Sequence, residues 1–385
     1  MSRIGILFTI PNFITAGSGR AMLNIVRRLD RDDFAPAVCV LRKGGTLDSA
    51  VEELGIPFLE APMLVAPRPL RSLRARILRA ATTFRPYGFH IWHSYHYCDD
   101  YTEPLVARAA GARAWVYTKK NMSWNRRSWF LRSILASRIA SQNTDIMRDF
   151  LGGPFLRGKA TLLPPGVETE RFRPGLSRQR DLRAELGFPP EAIVAGCVGH
   201  LLPVKGHPTL LEAIEEVPEL HLVIAGDSLD RDYAARLHGM VARAGLEARV
   251  RFLGNVADIP SLWAELEIGV VTTWDRWRME GCPIALLEAM SCGVACVATD
   301  IPGCHDVIES ETNGLLVAPR DPVSLSRALT RLVKDAALRQ RLGEAGRARI
   351  VARYTIERET AAYVRLYREA LGQKVRDGMI GSDGR

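Results

Sequence analysis

Two successive α/β domains, each a doubly wound parallel sheet flanked by helices, are what this sequence predicts, on three observations. Short aliphatic runs alternate with amphipathic, helix-length stretches, the signature of βα units feeding a parallel sheet. The alternation stops at a Pro/Gly-rich stretch, LLPPGVETERFRPG, and then starts again. The chain has 385 residues, 47% hydrophobic and 25% charged, an ordinary globular balance with ample apolar material for two cores. In the first domain, residues 1–165, the strand-like runs are IGILFTI, APAVCVL, FHIWH, RAWVYT, RIASQ and ATLLP. In the second, residues 166–350, they are AIVAGCVG, LHLVIAGD, RVRFLG, EIGVVTTW, VACVATD and GLLVAP. Residues 351–385 read as a helical segment ending in a frayed tail, GQKVRDGMIGSDGR. Such folds bind ligands outside the carboxyl ends of their strands, so the expected site is the cleft between two facing sheets.

Composition narrows the function. The seven cysteines include no CxxC pair, which argues against a disulfide framework or a zinc site and for a reducing cytosol. Cys292, Cys296, Cys304 and His305 lie close in sequence, without a metal-site spacing. No uncharged apolar run approaches the ~18 residues of a membrane span. The opening RIGILFTIPNF has a short apolar run that meets Pro11 without a small-residue cleavage site, and reads as a buried strand rather than a signal peptide. Charge is uneven: residues 1–170 hold 24 Lys+Arg against 14 Asp+Glu, a net of +10, while residues 171–385 hold 28 against 29, a net of −1. The first half therefore suits an anionic partner, whether membrane surface, acidic substrate or nucleic acid. No zinc-finger spacing, RNP-like string or Arg-rich tail supports nucleic acid. Asp99 and Asp100, and Asp230 and Asp232, read as helix starts or solvated residues rather than metal carboxylates.

The stretch RMEGCPIALLEAMSCG, residues 278–293, carries the chemistry. Pro283 suits the first helical position, so a helix is expected to begin close to Gly281 and Cys282, with exposed N–H groups that favour an anion such as phosphate. Glu280 then precedes that anion, and Glu288 lies roughly 7 Å further along the helix axis. A nucleotide-sugar spans such a pair, with hydroxyls at both ends for carboxylates to accept and a diphosphate at its middle. An ordinary buried helix stripe with one solvated Glu has the same local pattern.

Five segments in this order settle the comparison: VGHLLPVKG (198–206), LVIAGD (222–227), RVRFLGNVADIPSLWAELEIGVV (249–271), EGCPIALLEAMSCGVACVATD (280–300) and NGLLVAPRDP (313–322). They resemble the retaining glycosyltransferases of family 4, with the GT-B architecture. The resemblance covers most of the chain and is densest from Val194 to Leu329. It assigns Glu280 to the hydroxyls of the transferred sugar, the backbone of Gly281, Cys282, Pro283 and Ile284 to the sugar and phosphate, and Glu288 to the ribose. Lys205 matches the lysine that neutralises the leaving diphosphate, and Val250, Arg251 and Phe252 match a strand end bordering the base. No required metal or other cofactor is implied; the nucleotide-sugar is a co-substrate.

The chain also departs from that pattern. His200 stands where arginine is common, which makes half of the phosphate clamp titratable. Gly17, Ser18 and Gly19, followed by Arg20, replace a Gly-Gly loop with an acidic residue, yet still permit close backbone approach to the donor phosphate. His93 and His96 end the strand near which similar proteins place a histidine beside the sugars, and Lys120 stands where many have a histidine that contacts the donor sugar. The resemblance implies same-face transfer of a hexosyl group from a UDP- or GDP-sugar to a hydroxyl of a glycan or lipid-linked acceptor, as in cell-envelope polysaccharide or glycolipid synthesis. A glycosidase fits poorly, because its carboxylates flank one bond ~5 to 5.5 Å apart. A non-catalytic sugar-nucleotide or glycan-binding protein of the same fold remains the alternative. In the basic half, RPLRSLRARILRAATTFR (68–85) sets Leu70, Leu73, Ile77 and Phe84 at near-helical intervals, with Arg68, Arg71, Arg74, Arg76 and Arg79 around them. KKNMSWNRRSWFLR (119–132) adds bases and large aromatics. Together they suggest a cytoplasmic enzyme peripherally docked on the anionic inner membrane face.

Overall fold

The computed structural model describes residues 3–14, 16–96, 98–124, 126–176, 181–228, 230–275 and 281–373. Strands β1 (Ile4–Thr9), β2 (Phe34–Val40), β3 (Phe58–Glu60), β4 (Ile91–Ser94), β5 (Ala114–Lys119), β6 (Arg138–Ser141) and β7 (Ala160–Leu162) form one sheet in the order β3-β2-β1-β4-β5-β6-β7. Strands β8 (Ile193–Val198), β9 (Leu220–Ala225), β10 (Val250–Gly254), β11 (Ile268–Val271), β12 (Ala295–Thr299) and β13 (Leu315–Val317) form a second, in the order β10-β9-β8-β11-β12-β13. Every pairing in both sheets is parallel. These are the two doubly wound domains that the alternation predicts. Each sheet starts at a middle strand, builds to one edge and then jumps back across, so the strand order reverses between β1 and β4 and between β8 and β11. Helices leave a crevice open at such a reversal, on the carboxyl side of the strands.

Side chains alternate across the first sheet. Ile6 and Phe8 of β1 join one core with Met22, Leu23, Ile25 and Val26 of helix α1 (Ala16–Arg28). Leu7 faces the other way, into a core with Trp92, Trp115 and Trp129. That second face is covered by α2 (Leu73–Thr82), α3 (Thr102–Ala109) and α4 (Arg126–Leu135), in sequence and in space. Of the apolar stripe expected on α2, Phe84 just beyond it is buried and Leu73 and Ile77 are half-buried, whereas Leu70 is 70% exposed. Arg76 also turns inward, donating to the carbonyls of Ala66 (2.8 and 3.1 Å) and Pro69 (3.0 Å). The second domain adds α5 (His207–Glu215), α6 (Ile284–Ser291) and α7 (Ala336–Arg353) around its sheet.

The chain then returns. Helix α8 (Ile356–Ala370), in the segment 351–385, packs Tyr363, Leu366 and Tyr367 into the core of Ile6 and Phe8 in the first domain. The outgoing and returning segments touch where they cross: Val167 bridges Thr355, Val167 N donates to Tyr354 O at 2.8 Å, and Gly166 N donates to the buried Glu359 Oε2 at 2.8 Å. Gly166 is required there, because a Cβ would run into the Thr355 backbone. Among the described residues no helix is long and apolar enough to cross a membrane.

Candidate donor and acceptor cleft

Strand ends at the two reversals deliver the side chains. After β8, Gly199 has φ 152°, in the region that favours glycine, and Lys205 folds over it: a Cβ on Gly199 would stand 3.6 Å from Lys205 Nζ. Lys205 sits on a short 3₁₀ turn (Pro203–Lys205) ahead of α5, and its carbonyl accepts from Thr272 Oγ1 at 2.8 Å, just past the end of β11. His200 is half-buried, and its buried Nδ1 has no hydrogen-bond partner among the described residues. Lys205 and His200 thus share the loop at the reversal point of the second sheet.

Helix α6 begins at Ile284 with Pro283 as its N-cap residue, one position later than the sequence suggests. Gly281, Cys282 and Pro283 are buried and Ile284 half-buried. No side chain caps this terminus, so its first N–H groups point out of the helix without a side-chain acceptor, and the macrodipole favours an anion there. Glu288 lies one turn in. Burial pushes its carboxyl up to about 7, against the opposing pull of the positive charges of Arg20 and Arg171. Arg20 belongs to α1, so a charge of the first domain acts on the α6 carboxylate. Gly17, Ser18 and Gly19 form that first helical turn rather than a free loop. Gly17 is open, whereas a Cβ on Gly19 would collide with Phe13 and Leu47. Glu280 lies outside the described residues.

The first domain contributes Lys120, at the end of β5. Its carbonyl lies against Gly281, where a Cβ would collide with it, and its ammonium donates to Tyr95 O at 2.6 Å over the Tyr95 ring. Burial holds its pKa well below the usual lysine value. His93 does not reach the cleft. It is fully buried on the Ile91 and Tyr95 face of β4, with Nδ1 2.7 Å from Tyr367 Oη and Nε2 2.9 Å from Thr118 Oγ1, and burial lowers its pKa to about 3. His96, just past the strand, is the one with a ring nitrogen to spare: Nδ1 faces Cys98 Sγ at 2.6 Å, while Nε2 is buried without a partner among the described residues.

The base-bordering assignment also shifts. Val250, Arg251 and Phe252 open β10 rather than end it. Val250 is buried, the Phe252 ring packs against His238 at a tilt of 45° with centroids 4.2 Å apart, and Arg251 donates to the carbonyls of Glu247 and Leu186. The carboxyl end of β10 is Gly254, followed by exposed Asn255. Asn143, Thr144 and Asp145 carry no motif, and their only signal in the sequence is that they directly follow the strand RIASQ; Asn143 Nδ2 donates to Gly281 O at 2.7 Å. Asp100 and Asp230 are helix-start residues, accepting from Thr102 N at 2.7 Å and Tyr233 N at 3.0 Å. A cavity of about 440 Å³ bordered by Arg173, Trp263, Glu267 and Cys292 opens at the opposite edge, where chain enters β11 and β12.

Residues 178–349 match the family described as glycosyl transferases group 1. The chain is 32% identical over 184 residues to the lipopolysaccharide core biosynthesis glycosyltransferase LpsE of Rhizobium meliloti, a stretch covering 48% of this chain and 52% of that protein. It is 29% identical over 274 residues to the lipopolysaccharide core biosynthesis mannosyltransferase LpcC of Rhizobium leguminosarum bv. viciae, covering 70% of this chain and 71% of that one. The match thus spans about half the length of the first relative. In three dimensions the chain is similar to Anabaena HepE, solved with UDP and glucose: the TM-score is 0.80 over 94% of this chain and 99% of that one, at 21% identity. That likeness concerns the fold, GT-B.

Proposed function

Because residues 178–349 match the family described as glycosyl transferases group 1, we propose that the chain is a retaining transferase moving a hexosyl group from a UDP- or GDP-sugar to a hydroxyl of a glycan or lipid-linked acceptor. One observation carries the reading: the uncapped start of α6 in the second domain is met by the first domain, the Lys120 carbonyl lying against Gly281, while Lys205 and His200 follow β8 at the reversal of the second sheet. The α6 N–H groups, Lys205 and His200 hold the diphosphate, and Glu288 accepts from the ribose. Gly281, next in sequence to Glu280, sets the sugar end. As the bond between the anomeric carbon and the phosphate oxygen breaks, the acceptor oxygen bonds the same face of that carbon, and its proton passes to the departing phosphate oxygen. The chain supplies positioning and charge stabilisation. We assign His96, whose Nε2 has no partner among the described residues, to the acceptor side.

The acceptor reading draws on the two relatives above, both named for lipopolysaccharide core biosynthesis, and on one face of the first domain. Residues 61–98 contain no Asp or Glu and six Arg. The acids next along, Asp99, Asp100 and Glu103, are engaged with Ser128, the start of α3 and Arg132. Over α2 and α4, Leu78, Phe130 and Leu131 are 40%, 43% and 41% exposed beside Arg71, Arg74, Arg79 and Arg127. Cations interleaved with apolar side chains suit an anionic lipid surface on the cytoplasmic side.

Thermal shift against a panel of nucleotide-sugars tests the donor: at 100 times its Kd, the right one adds ~2.7 kcal/mol of stability. The product should keep the donor's anomeric configuration by NMR, and Lys205→Ala should cost about 10²-fold in kcat. Wild-type turnover by Lys205→Ala would overturn the donor-site assignment.

A further inference from the structure

The segment that follows β6 reaches across the cleft at three points. Asn143 Nδ2 donates to Gly281 O at 2.7 Å, while its Oδ1 accepts from Ile146 N at 2.7 Å. Thr144 donates through its backbone N, at 2.8 Å, and through Oγ1 to the carboxylate of Asp306. Asp145 Oδ2 lies 2.6 Å from His305 Nε2, and His305 Nδ1 lies 2.8 Å from Asp300 Oδ1. Behind Gly281 stands Gly303, where a Cβ would collide with Gly281 O. That carbonyl is therefore gripped by an amide of one domain and backed by the chain of the other.

We propose that Asn143, Thr144 and His305 are positioning residues, a clasp that seats the 281–283 segment and the start of α6 for donor chemistry only when the two domains are closed. The inference rests on the transferase reading and names how that site is assembled. None of the three residues is needed by the bond-making step itself. Their leverage is geometric: Gly281 follows Glu280 in sequence and leads into the phosphate-facing helix end, so a displacement there moves both.

Histidine gives the clasp a pH dependence. A neutral imidazole has one N–H, yet His305 presents a nitrogen to each of two carboxylates, so both contacts are hydrogen bonds only in the doubly protonated ring. From the first domain it faces Asp145, which also pairs with Arg148; from its own domain it faces Asp300, with Asp306 beside it and Arg349 donating to Asp306 O at 2.8 Å. Burial works against the charge, but the hydrogen bonds and negative charges of Asp300 and Asp145 outweigh it and raise the His305 pKa. The sign follows: a raised pKa makes the clasp complete below the ordinary imidazole value of about 6.5, and loosens it as pH climbs through the raised value.

Two readouts on the full chain test this. Dyes placed on exposed sites of the two domains report their separation by energy transfer, without substrate, from pH 6 to pH 9; transfer efficiency should fall with pH in the wild type and be low and flat in His305→Gln. Turnover with UDP-glucose or GDP-mannose, whichever donor the wild type uses, should show kcat about 10-fold lower in His305→Gln at pH 6, the factor of one hydrogen bond of ordinary strength, with little change in donor KM. Thr144→Val should lower kcat without altering the pH profile. Unchanged separation, kcat and pH profile in a folded His305→Gln would overturn the clasp. A wild type that closes with falling pH but transfers no sugar would defeat the transferase reading and leave the clasp standing.

Discussion

His93 and His96 sit three residues apart around the end of β4, and their surroundings give them different work. His93 shares the strand face of Ile91 and Tyr95, so its ring enters the core that α8 closes, where Tyr367 and Thr118 engage both nitrogens. Period-two alternation already places residues 91, 93 and 95 on one face; a histidine there is a core residue unless that face is open. His93→Ala should therefore lower stability by about 1–3 kcal/mol for the buried partners left unpaired, read as a drop in denaturant midpoint. His96→Ala should leave the midpoint nearer wild type and reduce kcat. Were His96→Ala fully active, the acceptor-side place given to His96 would be wrong. Lys120 follows the same logic: an ammonium folded onto a backbone carbonyl and an aromatic ring, in a dry setting, carries its proton weakly.

At the scale of elements, the face over α2 and α4 makes a direct prediction. Four exposed arginines, Arg71, Arg74, Arg79 and Arg127, at about 1 kcal/mol each near an anionic bilayer, give about 4 kcal/mol, enough for reversible attachment. The chain should sediment with phosphatidylglycerol vesicles at low salt, much less with phosphatidylcholine ones, and release at high salt. Arg71→Glu, Arg74→Glu and Arg79→Glu together should abolish the binding; retention by this triple variant would refute the surface. The elements differ in how much of them a sequence discloses. Long aliphatic strands such as β1, β8 and β9 are plain, because parallel strands buried on both faces read as continuous apolar runs. The three-residue edge strand β3, FLE, ends on exposed Glu60 and offers no such run. The start of α6 is legible from Pro283, and Lys205 from its place after β8. The partners of Gly281 are not: Asn143 is 138 positions away, and no local pattern encodes that contact. Val250, Arg251 and Phe252 open β10 although they read as a strand end, because a strand's apolar centre is easier to see than its carboxyl end, where ligands gather.

At the scale of the whole molecule, the outgoing and returning segments cross at Val167 and Thr355, and a buried acid sits beside the crossing. Glu359 has Oε2 on Gly166 N, while Oε1 finds no partner among the described residues. Burial raises its pKa to about 8 from an ordinary 4.5, against the pull of that backbone N–H and of Arg28. Between those values the folded chain keeps a proton that the unfolded chain releases, so the stability held below about 4.5 is lost as pH rises, by about 1.4 kcal/mol per pH unit. Above about 8 both states are ionised and the slope ends. Glu359→Gln keeps an oxygen for Gly166 and removes the titration: it should match wild type near pH 4.5 and exceed it in thermal midpoint at pH 8. Equal midpoints at both pH values would mean that Glu359 is ionised in the fold.

The return of α8 to the first domain has a consequence for how the chain is made. Tyr363, Leu366 and Tyr367 are synthesised more than 350 residues after Ile6 and Phe8, the side chains they cover. On a ribosome, the second domain emerges whole while the first still lacks one wall. The domain that starts first is therefore finished last, and its apolar face must stay shielded until the final helix arrives.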